Sequence, residues 1–144
     1  ELNGAFTDAT LVVVTHQSGL TVAESTDLRR RMREAGKKVG FLRVKFFRPF
    51  PAEEIRAVLG KAKGVAVIDR DYSYGSPSFA GVLFHELRST LYTLDDRPMM
   101  LNFIAGLGGR EVMVRDIDQI VETTQTAIET GKIEQETTWV AVRE

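Results

Sequence analysis

The sequence predicts an α/β fold with three layers, in which helices cover both faces of a mostly parallel sheet of about five strands. Short apolar runs rich in β-branched residues recur along the chain, a pattern typical of buried parallel strands. These runs are 11–14, 42–46, 65–69, 99–104 and 137–142. Segments with apolar residues at helical spacing separate them. Such alternation of strands and helices favours a parallel sheet that is covered on both faces.

Composition indicates one ordinary globular domain. The 144 residues are 43% hydrophobic and 27% charged, with a net charge of -1, so the sequence favours neither a nucleic-acid surface nor an anionic-membrane surface. No apolar run approaches the roughly 20 residues that a bilayer span needs. The absence of cysteine rules out disulfides and cysteine-ligated iron–sulfur clusters in this chain. We expect a cytoplasmic protein, with residues 1–9 as a linker from an upstream domain and 10–144 as a single domain.

The first helix is predicted to follow a turn at 18–19 and to end near Gly36. Leu28, Met32 and Ala35 fall at i, i+4 and i+7, the spacing of one apolar helix face. Four arginines occupy the other faces, which is typical of a solvated surface. Gly36 suits the position that follows a helix end.

The second strand and the second helix are joined by a corner that contains two prolines. Leu42, Val44 and Phe46 alternate with basic residues, which predicts a strand with one buried face. Pro49 removes a donor from the sheet, and Pro51 fixes φ at a helix start. The sequence therefore predicts a strand, a rigid corner and a helix.

The remaining elements follow the same alternation. A final helix is predicted to stop near Gly131, and Trp139 is predicted to anchor a terminal strand by packing. The third helix is marked by an apolar stripe: Phe79, Val82, Leu83, Leu87 and Leu91.

Ligands and partners of an open parallel sheet meet the loops beyond the carboxyl ends of its strands. In the first of these loops, Ser18, Gly19 and Thr21 combine hydroxyls with N–H groups at a helix start, which can hold a phosphate. The spacing is close to a flavodoxin phosphate loop, but His16 stands at its first hydroxyl position. An ordinary helix cap by Ser18 or Thr21 is the simpler interpretation.

A second candidate for anion binding is the glycine loop that follows the fourth strand. There Gly108 would let the backbone approach an anion, and Arg110 would assist. The dinucleotide fingerprint is incomplete, because Glu111 stands where its third glycine belongs. A tight turn that needs positive φ is the favoured interpretation.

No catalytic residue or metal ligand is predicted. Asp69 and Asp71 flank Arg70, and paired carboxylates can hold a metal or transfer protons. Pairing of Arg70 with one of them, in a polar network or at a partner contact, is favoured. Tyr72 and Tyr74 can stack on a ring, but aromatic loop residues more often pack at an interface.

Three motifs, in order, resemble signatures of the 2-oxoacid:ferredoxin oxidoreductases, in the transketolase C-terminal-like domain of their alpha chain. The first is 42–55 with its Arg-Pro-Phe-Pro-x-Glu-Glu-Ile core. The second is 65–75 with Asp-Arg-x-x-Ser-aromatic-Gly. The third is the glycine turn within 103–112. The resemblance covers about residues 10–121.

The resemblance implies a non-catalytic assembly domain that is inactive alone. The whole enzyme would decarboxylate pyruvate or a related 2-oxoacid oxidatively, form acyl-CoA from coenzyme A and reduce ferredoxin. Thiamine diphosphate, Mg²⁺ and [4Fe-4S] clusters would lie on other domains and subunits, and no cofactor in this one. Those domains and subunits would be its partners. The candidate interface residues are Arg48, Pro49, Phe50, Arg70, Tyr72 and Tyr74.

Two alternatives belong to other functional classes. The first is a stand-alone flavodoxin-like electron carrier that binds flavin mononucleotide. In that case Ser18 and Thr21 would hold the flavin phosphate, and Tyr72 or Tyr74 would stack on the flavin ring. The second alternative is a small interaction domain without a ligand.

Overall fold

The computed structural model describes residues 9–16, 22–34 and 36–142. The predicted linker therefore lies outside these residues, apart from Ala9. The described strands are β1 (Leu11–Thr15), β2 (Val39–Arg43), β3 (Gly64–Asp69), β4 (Met99–Ala105) and β5 (Thr137–Val140). The described α-helices are α1 (Val22–Glu34), α2 (Ala52–Leu59), α3 (Val82–Leu91) and α4 (Val114–Thr130). None of these helices has both the length and the apolar character needed to cross a membrane.

The five strands form one sheet in the order β2-β1-β3-β4-β5, and all four strand pairings are parallel. This confirms the predicted fold class. Because the strands are parallel, their carboxyl ends lie along one edge of the sheet, which we call the carboxyl edge. β1 and β3 lie inside the sheet, and both read as almost continuous apolar runs, as strands buried on two faces should.

Alternate residues of the strands contribute to two separate cores. On one face, Val12 of β1 packs with the apolar sides of α2 and α3. On the other face, Leu11 packs with α4. Arg31 of α1 donates a hydrogen bond to Asp118 of α4 at 3.3 Å, which puts α1 on the same face as α4. The molecule therefore has three layers.

The second strand starts and ends earlier than predicted. β2 ends at Arg43, and the N–H of Val44 donates a last bond to the carbonyl of Thr15 at 2.8 Å. Val44 is buried as predicted, but Phe46 is 73% exposed. Phe47 packs against the core in its place, because the chain leaves the ladder after Val44 and the two-residue alternation stops there.

Two other aromatic residues also differ from the predictions. The prediction that Phe79 begins the apolar stripe of the third helix was wrong. α3 begins at Val82, and Phe79 lies before it with φ 50. Trp139 was predicted as a packing anchor, but it is 40% exposed. β5 ends at Val140 because Ala141 takes φ 56, in the left-handed region.

Truncation of one buried leucine tests the core between β3 and α3. Leu87 is fully buried, so we expect Leu87→Ala to lower the free energy of unfolding by about 3 kcal/mol. The control Leu107→Ala removes the same atoms from a side chain that is 38% exposed, and we expect a change of about 0.5 kcal/mol or less. Urea unfolding measures both. Equal urea midpoints for the two variants would contradict this assignment of the core.

Candidate functional site at the carboxyl edge

A buried carboxylate at the end of β3 accepts hydrogen bonds from the first turn of α3. An α-helix begins with four N–H groups that have no partner inside the helix. The N–H groups of Leu83 and Phe84 donate to the two oxygens of Asp69 at 3.0 and 3.2 Å, and Asp69 is only 2% exposed. The sheet itself thus supplies the cap of this helix.

Asn102 of β4 completes the cap from the neighbouring strand. Its Nδ2 donates to Asp69 at 2.7 Å and to the carbonyl of Val67 at 3.2 Å, while its Oδ1 accepts from the N–H of Gly81 at 3.0 Å. A Cβ at residue 81 would collide with the Asp69 side chain. Glycine is therefore required where α3 approaches the strand.

The remaining N–H group of this turn belongs to Val82 and donates to Asp71 at 2.8 Å. The two aspartates that the sequence suggested as a metal or acid–base pair are therefore both helix caps. Nothing in the sequence near α3 marks this role, since the capping residues precede the helix by a loop of ten residues or more. The described part of the chain contains no group of three or more His, Cys, Asp or Glu side chains placed to hold a metal.

Arg70 bonds to the glycine turn, and the prediction that it pairs with a neighbouring aspartate was wrong. Its Nε donates to the carbonyl of Gly106 at 2.9 Å, and within the described residues no ion pair joins it to Asp69 or Asp71. The guanidinium reaches the turn that follows β4, while both carboxylates accept bonds from α3. Arg70 thereby ties the loop after β3 to the loop after β4.

The glycine loop is the tight turn that the sequence favoured. Gly106, Gly108 and Gly109 have φ of 74, 71 and 80, a region that side chains rarely adopt. Arg110 donates to the carbonyl of Ala141 over a long 3.5 Å. The other candidates for anion binding, Ser18, Gly19 and Thr21, lie outside the described residues.

Four aromatic side chains meet beside these caps, and we call them the aromatic cluster: Tyr72, Tyr74, Phe79 and Trp139. The ring of Tyr72 lies at the centre, with centroid distances of 6.2 Å to Tyr74, 6.5 Å to Phe79 and 5.6 Å to Trp139. Tyr74 is 94% exposed and Phe79 is 62% exposed. The structure thus brings the two predicted tyrosines together and adds two residues that the sequence assigned to packing.

Backbone hydrogen bonds hold the loop that carries the cluster. The N–H of Ser73 donates to the carbonyl of Ala80 at 3.0 Å, and the N–H of Phe79 donates to that of Ser76 at 3.1 Å. Thr137 of β5 donates its hydroxyl to the carbonyl of Ser78 at 2.9 Å. A positive φ costs a bulky residue such as Phe79 about 1 kcal/mol or more. These bonds therefore hold the backbone of Phe79 in an unfavourable conformation.

The proline corner lies against the outer surface of α3. Arg48 donates to Glu86 at 2.6 Å, and its guanidinium lies 4.5 Å from the centre of the Phe47 ring. Pro49 is exposed, but Phe50 packs against the core. Of the phenylalanines in this corner, Phe46 therefore presents its ring to solvent.

The two histidines differ in their hydrogen bonding. His16 Nδ1 donates to the carbonyl of Val44 at 2.9 Å, and its ring lies 5.3 Å from that of Phe47. Nε2 of His85 is buried and has no hydrogen-bond partner within the described residues. Neither histidine belongs to the cap or to the aromatic cluster.

Burial controls the protonation of the cap. The pKa of Asp69 is raised to about 6. Burial is the largest cause and the charge of Asp71 adds to it, while hydrogen bonds from Leu83, Asn102 and Phe84 oppose the rise. Within the cap, Asp69 is thus a carboxyl group that titrates near neutral pH.

Comparison with known protein families finds a match that covers most of this chain. Residues 9–117 match the family described as pyruvate:ferredoxin oxidoreductase core domain II. The chain belongs to this family. The matched region contains the proline corner, the cap of α3 and the glycine turn. The flavodoxin alternative is therefore not favoured.

Two relatives of this chain are subunits of oxidoreductases. The chain is 44% identical over 119 residues to ketoisovalerate oxidoreductase subunit VorA of Pyrococcus furiosus, covering 83% of this chain and 29% of that subunit. It is 38% identical over 136 residues to pyruvate synthase subunit PorA of Pyrococcus horikoshii, covering 94% of this chain and 33% of that subunit. The chain thus spans about a third of the length of these relatives.

A solved structure has the same fold as this core domain II. It is the 2-oxoglutarate:ferredoxin oxidoreductase from Magnetococcus marinus with 2-oxoglutarate, coenzyme A and succinyl-CoA bound. The TM-score is 0.57 at 21% identity, over 83% of this chain and 18% of that one. The likeness supports the predicted fold.

The raised pKa of Asp69 makes the stability of core domain II depend on pH. The folded pKa of Asp69, about 6, lies above the ordinary 3.8. The contribution of Asp69 to the free energy of unfolding is therefore full below about pH 4 and is lost as the pH rises through 6. Relative to Asp69→Asn, which cannot titrate, we expect the wild type to lose about 2–3 kcal/mol of unfolding free energy between pH 4 and 7. Urea unfolding across this range measures the difference.

The asparagine variant also loses an acceptor of N–H groups, which adds a constant offset at every pH. Only the change of the difference with pH therefore tests the assignment. Asp71→Asn serves as the control, because it removes the neighbouring charge but leaves Asp69 titrating. Parallel pH profiles of the wild type and Asp69→Asn would contradict a pKa near 6.

Proposed function

We propose that the chain is a non-catalytic assembly domain of a thiamine-diphosphate-dependent 2-oxoacid:ferredoxin oxidoreductase. The whole enzyme would convert a 2-oxoacid and coenzyme A into acyl-CoA and CO2 and pass two electrons to ferredoxin. The family match over residues 9–117 carries this proposal. It takes in four of the five described strands and the cap that orients α3.

The chemistry of the carboxyl edge supports an assembly role. Asp69 and Asp71 accept hydrogen bonds from the backbone of α3, and Arg70 donates to the backbone of the glycine turn. These polar groups hold the fold together, so we assign them no step of the reaction. Thiamine diphosphate, Mg²⁺ and [4Fe-4S] clusters belong, in this proposal, to other domains and subunits, where coenzyme A and ferredoxin would also bind.

The substrate we propose is a 2-oxoacid, with pyruvate as the first to test. The relatives are named for ketoisovalerate and for pyruvate, which differ only in the side chain next to the 2-oxo group. A panel of pyruvate, ketoisovalerate and 2-oxoglutarate, assayed with coenzyme A and ferredoxin, discriminates among them.

The proposal includes a cytoplasmic location, which cell fractionation tests.

Native mass spectrometry of the protein from its source cells tests the proposed function. We expect an assembly much larger than the 16.1 kDa of this chain, with thiamine diphosphate and iron–sulfur clusters bound. A lone chain with flavin mononucleotide would favour the carrier instead. A lone chain without a cofactor would contradict both functions and leave an interaction domain.

Arg48 tests whether the proline corner contributes to assembly. We expect Arg48→Ala to weaken association with the other domains and subunits by roughly tenfold, about 1.4 kcal/mol. Its exposed ion pair with Glu86 should contribute only about 0.5 kcal/mol to the stability of the domain itself. Native mass spectrometry over a dilution series measures the association, and urea unfolding measures the stability.

Arg97 provides a matched control for this variant. Like Arg48, it is exposed, stacks on a neighbouring ring and donates to a backbone carbonyl, in its case with Tyr92 for both contacts. We expect Arg97→Ala to leave assembly unchanged. Equal assembly of the two variants would show that the proline corner serves only the fold.

A further inference from the structure

The aromatic cluster places several exposed apolar side chains next to one another on the surface. Tyr74, Phe79 and Trp139 all rank among the large apolar side chains that remain exposed, and Tyr72 joins them into one patch. Leu107 and Val142 are also exposed and follow the ends of β4 and β5 at the same edge. Contiguous apolar patches on soluble proteins mark interaction sites, whereas single exposed residues are ordinary.

The backbone around the cluster is held in a conformation that the sequence does not favour. Among the described residues, the non-glycine positions with positive φ are Phe79 and Ala141. Phe79 is a member of the cluster, and Ala141 lies two residues beyond Trp139. Strained backbone persists where the surrounding structure imposes it, and it concentrates at functional sites. The fold therefore keeps the ring of Phe79 outward at a cost in backbone conformation.

The shape of the cluster fits a protein surface better than a small ligand. The rings of Tyr72 and Tyr74 meet edge to face at 88°, so they fill the space between themselves. A side chain that is 94% exposed, such as Tyr74, projects from the surface, whereas pockets for small molecules are concave. Projecting aromatic side chains are typical anchors of protein interfaces.

We propose that the aromatic cluster is the docking face for another domain of the same polypeptide. This inference rests on the proposed function and adds the surface and the occupant. The length of the related subunits favours this occupant, because the regions that align with this chain make up only 29% and 33% of those subunits. Domains joined in one chain meet at high effective concentration, so a patch of this modest size is sufficient.

The hydrogen-bonding groups of the cluster define the chemistry of its partner. In the part of the chain that the structure describes, the hydroxyls of Tyr72 and Tyr74 and the indole N–H of Trp139 make no hydrogen bond. A docked surface would place apolar groups against the rings and polar groups against the hydroxyls and the indole N–H, since a tyrosine hydroxyl can both donate and accept. Arg110 donates a long bond to the carbonyl of Ala141, two residues beyond Trp139, and adds a positive charge near this end of β5.

Site-specific photo-cross-linking in the intact assembly tests this proposal. Tyr74 is replaced by p-benzoylphenylalanine in the native polypeptide, the assembly is purified and irradiated, and the cross-linked peptides are sequenced. Tyr92 is replaced in the same way as a control, because it is also a tyrosine and is 71% exposed but lies at the end of α3, outside the cluster. We expect Tyr74 to cross-link to another region of its own polypeptide at least fivefold more than Tyr92 does.

Each other outcome overturns a defined part of the argument. A cross-link from position 74 to a different subunit, or to a second copy of this chain, would overturn the occupant we propose. Equal labelling at positions 74 and 92 in an intact assembly would overturn the docking face and leave the proposed function standing. Isolation of the chain without any further domain would overturn both proposals.

Discussion

The burial of one carboxylate, that of Asp69, is the constraint on which the carboxyl edge depends. A buried charge is costly unless donors surround it, and here two N–H groups of α3 and the amide of Asn102 supply them. The positive end of the α3 dipole adds to this stabilisation. Removing one donor would leave the carboxylate short of a partner, which is more costly than the loss of an ordinary hydrogen bond. The position of α3 against β3 and β4 is therefore fixed by chemistry as well as by apolar packing.

The three stretches that resemble the oxidoreductase family are also the stretches that tie the carboxyl edge together. Arg48 of the first reaches Glu86 on α3. Asp69 of the second caps α3, and Arg70 reaches Gly106 in the third. In this chain, Arg48, Asp69 and Arg70 each bond to a backbone or side-chain group of another element. Their physical role is to hold loops from different strands in one arrangement.

The local sequence pattern was sufficient to predict the sheet but insufficient to predict the contacts at the carboxyl edge. Apolar runs are properties of a few consecutive residues, so β1, β3 and β4 could be located from them. The partners of Asp69 lie 14, 15 and 33 residues away, and no local spacing encodes such contacts. Phe79 and Phe46 were assigned to buried faces because periodicity cannot register a positive φ or the end of a ladder. The predicted interface role of Tyr72 and Tyr74 stays a prediction.

The cap and the aromatic cluster share one loop, and this sharing links the core of the domain to its surface. The loop leaves β3 at Asp69 and enters α3 through Gly81, and both of these residues belong to the buried cap. The cluster residues Tyr72, Tyr74 and Phe79 lie between them. Because both ends of the loop are fixed by buried hydrogen bonds, the exposed rings can be held rigid without a core of their own. A surface organised in this way needs little further ordering when a partner docks, and less ordering leaves more of the contact free energy for binding.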